Sequence, residues 1–415
     1  MAGMSNASRA RRASRMGWRT SPAVLAIVAA ASLPIVAVGG AAAVTFPAPG
    51  SSPPPTATAP GDGAAAPGAA YPQAGGWSAE PIGTIDLGRA PVDPAVANVV
   101  GDAPVGGISG LDSLGGDRYL ALSDDRAAKG PARAYEISVP LGKAGEPLQD
   151  AAAVDSAIAL TDPSGVGYAE GSVDPESIRV LPDGGLLWTS EGAADDGQPP
   201  AVIVSDASGR EQRRFDVPVH HLPDGHGTRG VRDNLAYEGL TLLGGGRAAT
   251  LAENPLAQDG PVPGAEPGAL TRLTVWDIAS GTPVAEYAYP LDAVPAGSEE
   301  RGATEILAAG DGSFIVLERS YIAGRGTVGS LSVVTLDGAD DVLATPALTG
   351  AERPVVKRHL LDLAPNGENV DNVESLAWGP MRDDGRRTLL IATDDNFNPG
   401  QRTLVHAFAI GMPAR

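Results

Sequence analysis

The chain has 415 residues, with 54 glycines, 37 prolines, no cysteine and a formal charge of −20. That charge sets it against nucleic acid and anionic membrane surfaces, and the lack of cysteine excludes disulfides, thiolate metal sites and a thiol nucleophile. Many Gly-rich and Asp-Gly turns between short apolar runs, with little at helical period, predict an all-β protein.

Residues 1–43 read as a signal peptide or an N-terminal membrane anchor. Arg9, Arg11, Arg12, Arg15 and Arg19 precede an apolar stretch at 22–38, and Ala41-Ala42-Ala43 offers a small-residue cleavage site. Uncleaved, the stretch is long enough, at about 20 residues, to cross a bilayer. Either way the rest of the chain is expected to be secreted or anchored to the outer face of the cytoplasmic membrane, as a monomer. Residues 44–76 are rich in Pro, Ala and Gly and lack an amphipathic pattern, so a disordered linker is expected there. The folded domain is placed at 77–415.

From there the sequence repeats. Copies begin at Ser109, Glu176, Glu238, Thr304 and Glu374. Each reads as a short apolar strand, a Gly-containing or charged turn, and a second apolar strand ending in an acid. Further strands are read at 133–139, 201–205 with 213–217, 271–278 with 285–289, 331–336 and 404–410. A hairpin plus two strands is one four-stranded blade, so the expected fold is a β-propeller of five blades, or six if a long loop hides another. The last copy lacks an outer strand, which the apolar segment 82–87 can supply, closing the ring.

The spacing from hairpin start to terminal acid is 15 in the first three copies: 109 to 124, 176 to 191 and 238 to 253. Hairpin geometry then brings Glu176 to Glu191, and Glu238 to Glu253, at one edge of each blade. Inner strands of a propeller run the same way, so these edges gather at one mouth of the channel. Asp124, Asp125, Glu176, Glu191, Glu238, Glu253, Glu318, Glu374, Asp394 and Asp395 form the expected carboxylate ring, with Asn254 and Asn396 beside it. Such an oxygen-rich cluster suits a hard cation, best Ca²⁺; a single such acid can equally cap a strand end.

Arg126, Arg232 and Arg319 flank these acids, as docking of an anionic ester requires, though each also balances a neighbouring acid. His220-His221 reads as a solvated turn, and His226 or His406 as a possible proton carrier. No nucleophile elbow, P-loop, dinucleotide fingerprint or His-Glu-x-x-His occurs.

The chain resembles the phytase-like family, described by the esterase-like activity of phytase, over about residues 78–410. The resemblance is carried by Ser109-Gly110-Leu111 with Ser123-Asp124-Asp125, and by Glu176-Ser177-Ile178 with Ser190-Glu191. Arg232 and Asn234 leading to Tyr237-Glu238-Gly239-Leu240, Leu317-Glu318-Arg319-Ser320-Tyr321, and Glu374-Ser375-Leu376 with Thr393-Asp394-Asp395-Asn396 complete it. It implies a propeller hydrolase of a small ester or phosphoester with a calcium-lined site. On that reading Glu238 and Glu374 with Arg126, Arg232 and Arg319 act on the substrate. Asp124, Asp125, Glu176, Glu191, Glu253, Asp394, Asp395 and Asn396 hold the metal. Ser109 and Thr304 depart from the Glu of the other copies. The alternative is a non-catalytic extracellular propeller that binds a ligand or cell-envelope partner through the same mouth.

Overall fold

The computed structural model describes residues 71–413 except 144, 267 and 364–368. The leader read at 1–43, and most of the linker, lie outside the described residues. Among the described residues no helix is long and apolar enough to cross a membrane.

Strand β1 (Ser78–Asp86) and helix α1 (Pro94–Val100) come first. Blade one follows as β2 (Ile108–Gly115), β3 (Arg118–Ser123), β4 (Arg133–Ser138) and β5 (Ala153–Ala159). Blade two is β6 (Pro175–Val180), β7 (Leu186–Ser190), β8 (Ala201–Ser205) and β9 (Glu211–Arg214). Blade three is β10 (Tyr237–Leu243), β11 (Arg247–Ala252), β12 (Leu270–Asp277) and β13 (Thr282–Pro290). Blade four is β14 (Gly302–Ala308), β15 (Ser313–Ile322), β16 (Gly326–Thr335) and β17 (Val356–Asp362). Blade five is β18 (Asn372–Met381), β19 (Arg387–Asp394) and β20 (Leu404–Gly411), with β1 as its outer strand.

The described residues thus form five antiparallel sheets and no sixth. Their inner strands β2, β6, β10, β14 and β18 touch in cyclic order, β18 returning to β2. The fold is a five-bladed propeller. Ring closure comes from β1 pairing with β20, Ser78 opposite Gly411 and Asp86 opposite Leu404. Strand β9 starts at Glu211, ahead of the expected 213, and helix α1 was not foreseen. Asp93 caps that helix by accepting from the Ala95 amide at 2.7 Å.

The core lies between blades rather than on the axis. Five wedges of buried apolar side chains fill the gaps between neighbouring sheets. Trp188 serves the wedge between blades one and two, Trp276 that between two and three, and Trp378 that between four and five. Near the axis the inner strands approach closely: a Cβ at Gly239 would lie 2.9 Å from the Ile306 amide, so only glycine fits. The folded unit also begins ahead of Trp77. The Ala74 amide donates to the His359 carbonyl at 2.9 Å, and Ala74 is buried against the outer strand of blade four.

An ion pair crosses the channel. Arg179 of β6 meets Glu305 of β14 at 2.9 Å, both buried. Ser177 donates to the same carboxylate at 2.7 Å and the Leu240 amide at 2.9 Å. Arg179 donates to the Leu111 carbonyl at 2.8 Å, so four blades are tied together at this level. Burial at the axis demands such pairing, and of the Arg179 guanidinium only Nε is left without a partner.

Candidate active site

Each inner strand breaks register near its start. The residue left out of the pairing is Ser109, Glu176 (with Ser177), Glu238, Thr304 and Glu374 in blades one to five. These are the repeat positions read from the sequence, and each is a β-bulge. A bulge removes a residue from the up-down alternation of its strand and re-aims its side chain. Two residues earlier, a backbone carbonyl or register pair holds the end of the neighbouring strand. The Asp124 amide donates to the Gly107 carbonyl, Glu191 to Asp174 and Glu253 to Ala236. Gly302 pairs with Arg319, and Asn372 with Asp394. The structurally equivalent rung therefore carries Asp124, Glu191, Glu253, Arg319 and Asp394.

Glu318 is thereby corrected out of the expected ring. It faces the other side of β15, where Lys357 and Arg301 pair with it and Tyr289 donates to it at 2.6 Å. The spacing of 15 from Thr304 leads to Arg319, and alternation along the strand sends its predecessor into the blade.

A cavity of 520 Å³ opens over this end of the channel. Asp124, Asp174, Glu176, Glu191, Glu238, Glu300 and Glu374 line it, against two cations, Arg126 and Arg319. Three carboxylate triads recur around it: Asp124, Glu374 and Asp394; Asp174, Glu176 and Glu191; and Glu191, Glu238 and Glu253. Within each, one oxygen per residue lies within 4.8 Å of the others. Ser109 donates to Glu176 at 2.8 Å, and Asn372 donates to Glu374 at 2.8 Å and to Asp394 at 3.2 Å. The Arg319 guanidinium donates to Glu374 at 3.0 Å. Arg126 donates to Asp174 at 2.8 Å and to Asn234.

The electrostatics follow from burial and crowding. Desolvation first, then repulsion from Glu191, Glu253 and Glu374, holds the Glu238 carboxyl well above its ordinary range. Glu253 is pushed up to about 7 by burial, with Arg319 opposing, and Asp174 to about 6, with Arg126 opposing. Asp124, Glu176, Glu191 and Asp394 are raised by burial and by one another's charge. Without a cation, such a mouth keeps protons on part of its carboxylates.

Backbone strain is concentrated here too. Among the described residues, the non-glycine positions with positive φ are Arg126, Ala127, Asn234, Asp371, Asn396 and Phe397. Arg126, Asn234 and Asn396 line the mouth, and Ala127 and Phe397 directly follow two of them. Left-handed backbone at such residues is costly and clusters where surrounding structure holds a binding loop in shape.

Some predicted site residues are placed elsewhere. Arg232 spends its guanidinium on the carbonyls of Pro255 at 3.1 Å and Gly260 at 2.7 Å, clamping a loop. Asp125 pairs with buried Arg133 and accepts from the Lys129 amide at 2.9 Å. Asp395 accepts from the amides of Gly107 at 2.9 Å and Phe397 at 3.0 Å and from Thr403 at 3.0 Å. In each Asp-Asp pair the first faces the mouth and the second fastens the loop. Asn254 is buried and donates to the Arg301 carbonyl. His220-His221 is no solvated turn: both rings bond to buried Glu286, at 2.8 and 2.6 Å. His226 lies in an exposed turn, and His406 bonds to Thr84 at 2.8 Å on the closing strand.

Asp174 went unread in the sequence. It stands two residues before the Glu176 bulge, as Asn372 stands before Glu374, and that i−2 position is the signal that points to both. Glu300, Thr327 and Gln401 come from loops and strand ends outside the repeat, and Tyr321 closes the Leu317-Glu318-Arg319-Ser320-Tyr321 stretch of β15.

The model of the family described as phytase-like, esterase-like activity of phytase, matches residues 103–397. The chain belongs to the phytase-like family. No curated protein matches the sequence. Among solved structures, an endo-arabinase from Bacteroides thetaiotaomicron is 10% identical, with 80% of this chain and 96% of that one covered, at a TM-score of 0.39. A glycosyl hydrolase from Bacteroides ovatus is 11% identical, covering 84% and 95%, at 0.38. The calcium-binding protein regucalcin from Agrobacterium tumefaciens is 11% identical, covering 73% and 76%, at 0.32. At such scores these likenesses carry no argument about the chemistry of this phytase-like chain.

Proposed function

We propose that this phytase-like propeller is an exported, calcium-dependent hydrolase of a small ester or phosphoester. The observation that carries the reading is the convergence of three carboxylate triads, buried but for half-buried Asp124, on one cavity that also presents two guanidinium groups. The donors are all oxygens, with no imidazole or thiolate among the mouth-lining residues, which fits a hard cation such as Ca²⁺. Seven acids against two arginines is an imbalance that a divalent ion would relieve. The triads Asp174, Glu176, Glu191 and Asp124, Glu374, Asp394 would hold it, with Glu191, Glu238 and Glu253 as a third set. A bound Ca²⁺ would supply positive charge toward an anionic ester and increase the acidity of water near it.

The chain's own groups take the remaining roles. Arg126, with nearly half of its side chain exposed, presents a guanidinium fixed by Asp174 and Asn234 for bidentate contact with an ester anion. Arg319 approaches from the opposite triad and steadies Glu374. Glu238, whose carboxyl is raised well above its ordinary range by burial and the neighbouring acids, is suited to accept and return a proton. Asn372 and Ser109 hold the acids in place. Export rests on the basic and apolar leader of the sequence, with the N-terminal segment either cleaved or retained as a tether.

The test is hydrolysis of a panel of phosphomonoesters, phosphodiesters and carboxylic esters by purified protein, with Ca²⁺ and with chelator. Turnover that requires Ca²⁺ and falls at least about a hundredfold in Arg126→Ala supports the reading. Turnover of no ester, or turnover indifferent to chelator, overturns it.

A further inference from the structure

The connection from β9 to β10 carries two adjacent histidines whose rings both turn inward. His221 is fully buried, and His220 keeps 12% of its side chain exposed. Each ring sets Nε2 on a different oxygen of Glu286, in the outer strand of blade three, at 2.8 Å from His220 and 2.6 Å from His221. One ligating atom from each of the three residues lies within 4.8 Å of the others. Among the described residues, no other such group contains an imidazole.

The burial of Glu286 does not ask for two rings. Arg272 neutralises it, donating at 2.6 Å, and Thr274 donates at 2.8 Å. Arg272 is shared with Asp259, which takes two of its bonds, at 2.6 and 2.8 Å. Two buried carboxylates therefore face one guanidinium, and with both rings uncharged the cluster is one positive charge short. Burial holds His221 below its ordinary range, which keeps that ring in the uncharged form that ligates.

The surroundings match those of a coordination shell. His221 turns Nδ1 to the Tyr237 hydroxyl at 2.8 Å, which fixes the ring with Nε2 toward Glu286. Arg272 and Thr274 fix the carboxylate in the same way. Ligating imidazoles and carboxylates are characteristically oriented by such outer bonds. Gln258 pins the histidine turn, donating to the His220 carbonyl at 2.8 Å and to the Pro346 carbonyl at 3.2 Å.

We propose that His220, His221 and Glu286 form a second metal site, separate from the carboxylate mouth, for a divalent transition ion of the Zn²⁺ class. Two imidazole nitrogens and one carboxylate oxygen suit a borderline ion, as an all-oxygen set suits Ca²⁺. The ion, at about 2.0–2.2 Å from each donor, takes the place of the Nε2 protons, and the rings need draw back by only about half an ångström. His221 then carries its proton on Nδ1 and donates it to the Tyr237 oxygen. The half-buried His220 side leaves the fourth position to water. Such an ion staples the β9–β10 connection to blade three directly behind the mouth, because Tyr237 immediately precedes Glu238. The site does not rest on the hydrolase reading.

Calorimetry of Zn²⁺ into the full chain, held in excess Ca²⁺ to occupy the carboxylates, is the test. One Zn²⁺ per chain is expected, bound at least about a hundredfold more weakly in His220→Gln and about tenfold more weakly in Tyr237→Phe. The second variant keeps the packing of the ring and removes only the outer bond to His221. Thermal melts report whether each variant is folded, and Zn²⁺ should raise the midpoint of the parent but not of His220→Gln. Absence of binding at millimolar Zn²⁺, or binding undiminished in folded His220→Gln, overturns the proposal.

Discussion

Arg319 donates to Glu374 across 3.0 Å, from the one rung at which the other four blades carry a carboxylate. This guanidinium is also the charge that most opposes protonation of Glu374 and Glu253. Replacing it by methionine leaves a crowd of buried acids without its internal cation. Metal-free Arg319→Met is expected to lose about 3 kcal/mol of stability. Saturating Ca²⁺ should restore most of it, while ester turnover stays lost. Urea denaturation with and without Ca²⁺ reads this directly; a variant as stable as the parent without metal contradicts it.

The crowded acids also set how stability depends on pH. Glu253 moves from an ordinary 4.5 to about 7 on folding, and Asp174 from 3.8 to about 6. Between those values the folded chain keeps protons that the unfolded chain has lost. Stability of the metal-free protein therefore falls as pH rises from about 4 toward 7, the reverse of an ordinary salt-bridged carboxylate. Ca²⁺ binding should release protons near pH 6 and flatten the dependence. Melts across that range, and calorimetry in buffers of different ionisation enthalpy, check both. Proton uptake on Ca²⁺ binding would be the wrong sign.

Blade four provides the opposite case. Glu318 is depressed to about 2, burial notwithstanding, because Lys357 and Arg301 hold its charge. Its contribution is complete above the unfolded value near 4.5 and is lost as pH falls through about 2. Lys357→Met leaves the carboxylate with Arg301 as its cation and should cost about 3 kcal/mol at pH 7. The penalty should shrink at pH 3, where the weakened pair lets the acid protonate. A penalty independent of pH would assign it to lost packing instead.

Asp174→Asn tests the residue that the repeat alone did not reveal. It removes one ligand from the Asp174, Glu176 and Glu191 triad and loosens the hold on Arg126. The expected result is loss of one Ca²⁺-binding event by calorimetry and a turnover loss of at least about tenfold. Unchanged stoichiometry would remove that triad from the metal reading.

The blades were legible because glycine turns punctuate them and because each inner strand bulges at the same residue of its repeat. Spacing then pointed to the rung on which Glu191 and Glu253 stand, since the neighbouring strand ends at a fixed distance from the bulge. The outer strands were harder. Residues 356–362, for example, mix lysine, arginine and histidine into an edge strand whose outer side faces water, so alternation fades. The role of Arg232, Asp125 and Asp395 depended on partners far along the chain or in loop backbone, which no local pattern encodes. The same holds for His220 and His221, whose burial comes from Glu286, 65 residues away from His221.

The union of β1 with β20 has a consequence for how the molecule comes into being. The strand made first must wait, unpaired along its edge, until the strand made last appears. No intermediate length of chain can close the ring, and the wedge between blades five and one stays open to water until residue 411 is present. Closure is thus the most non-local event in the fold, and it belongs at the slow end of folding. A chain halted before Leu404 would carry four finished blades, unpaired edges on β1 and β19, and a ready route to pairing with its neighbours.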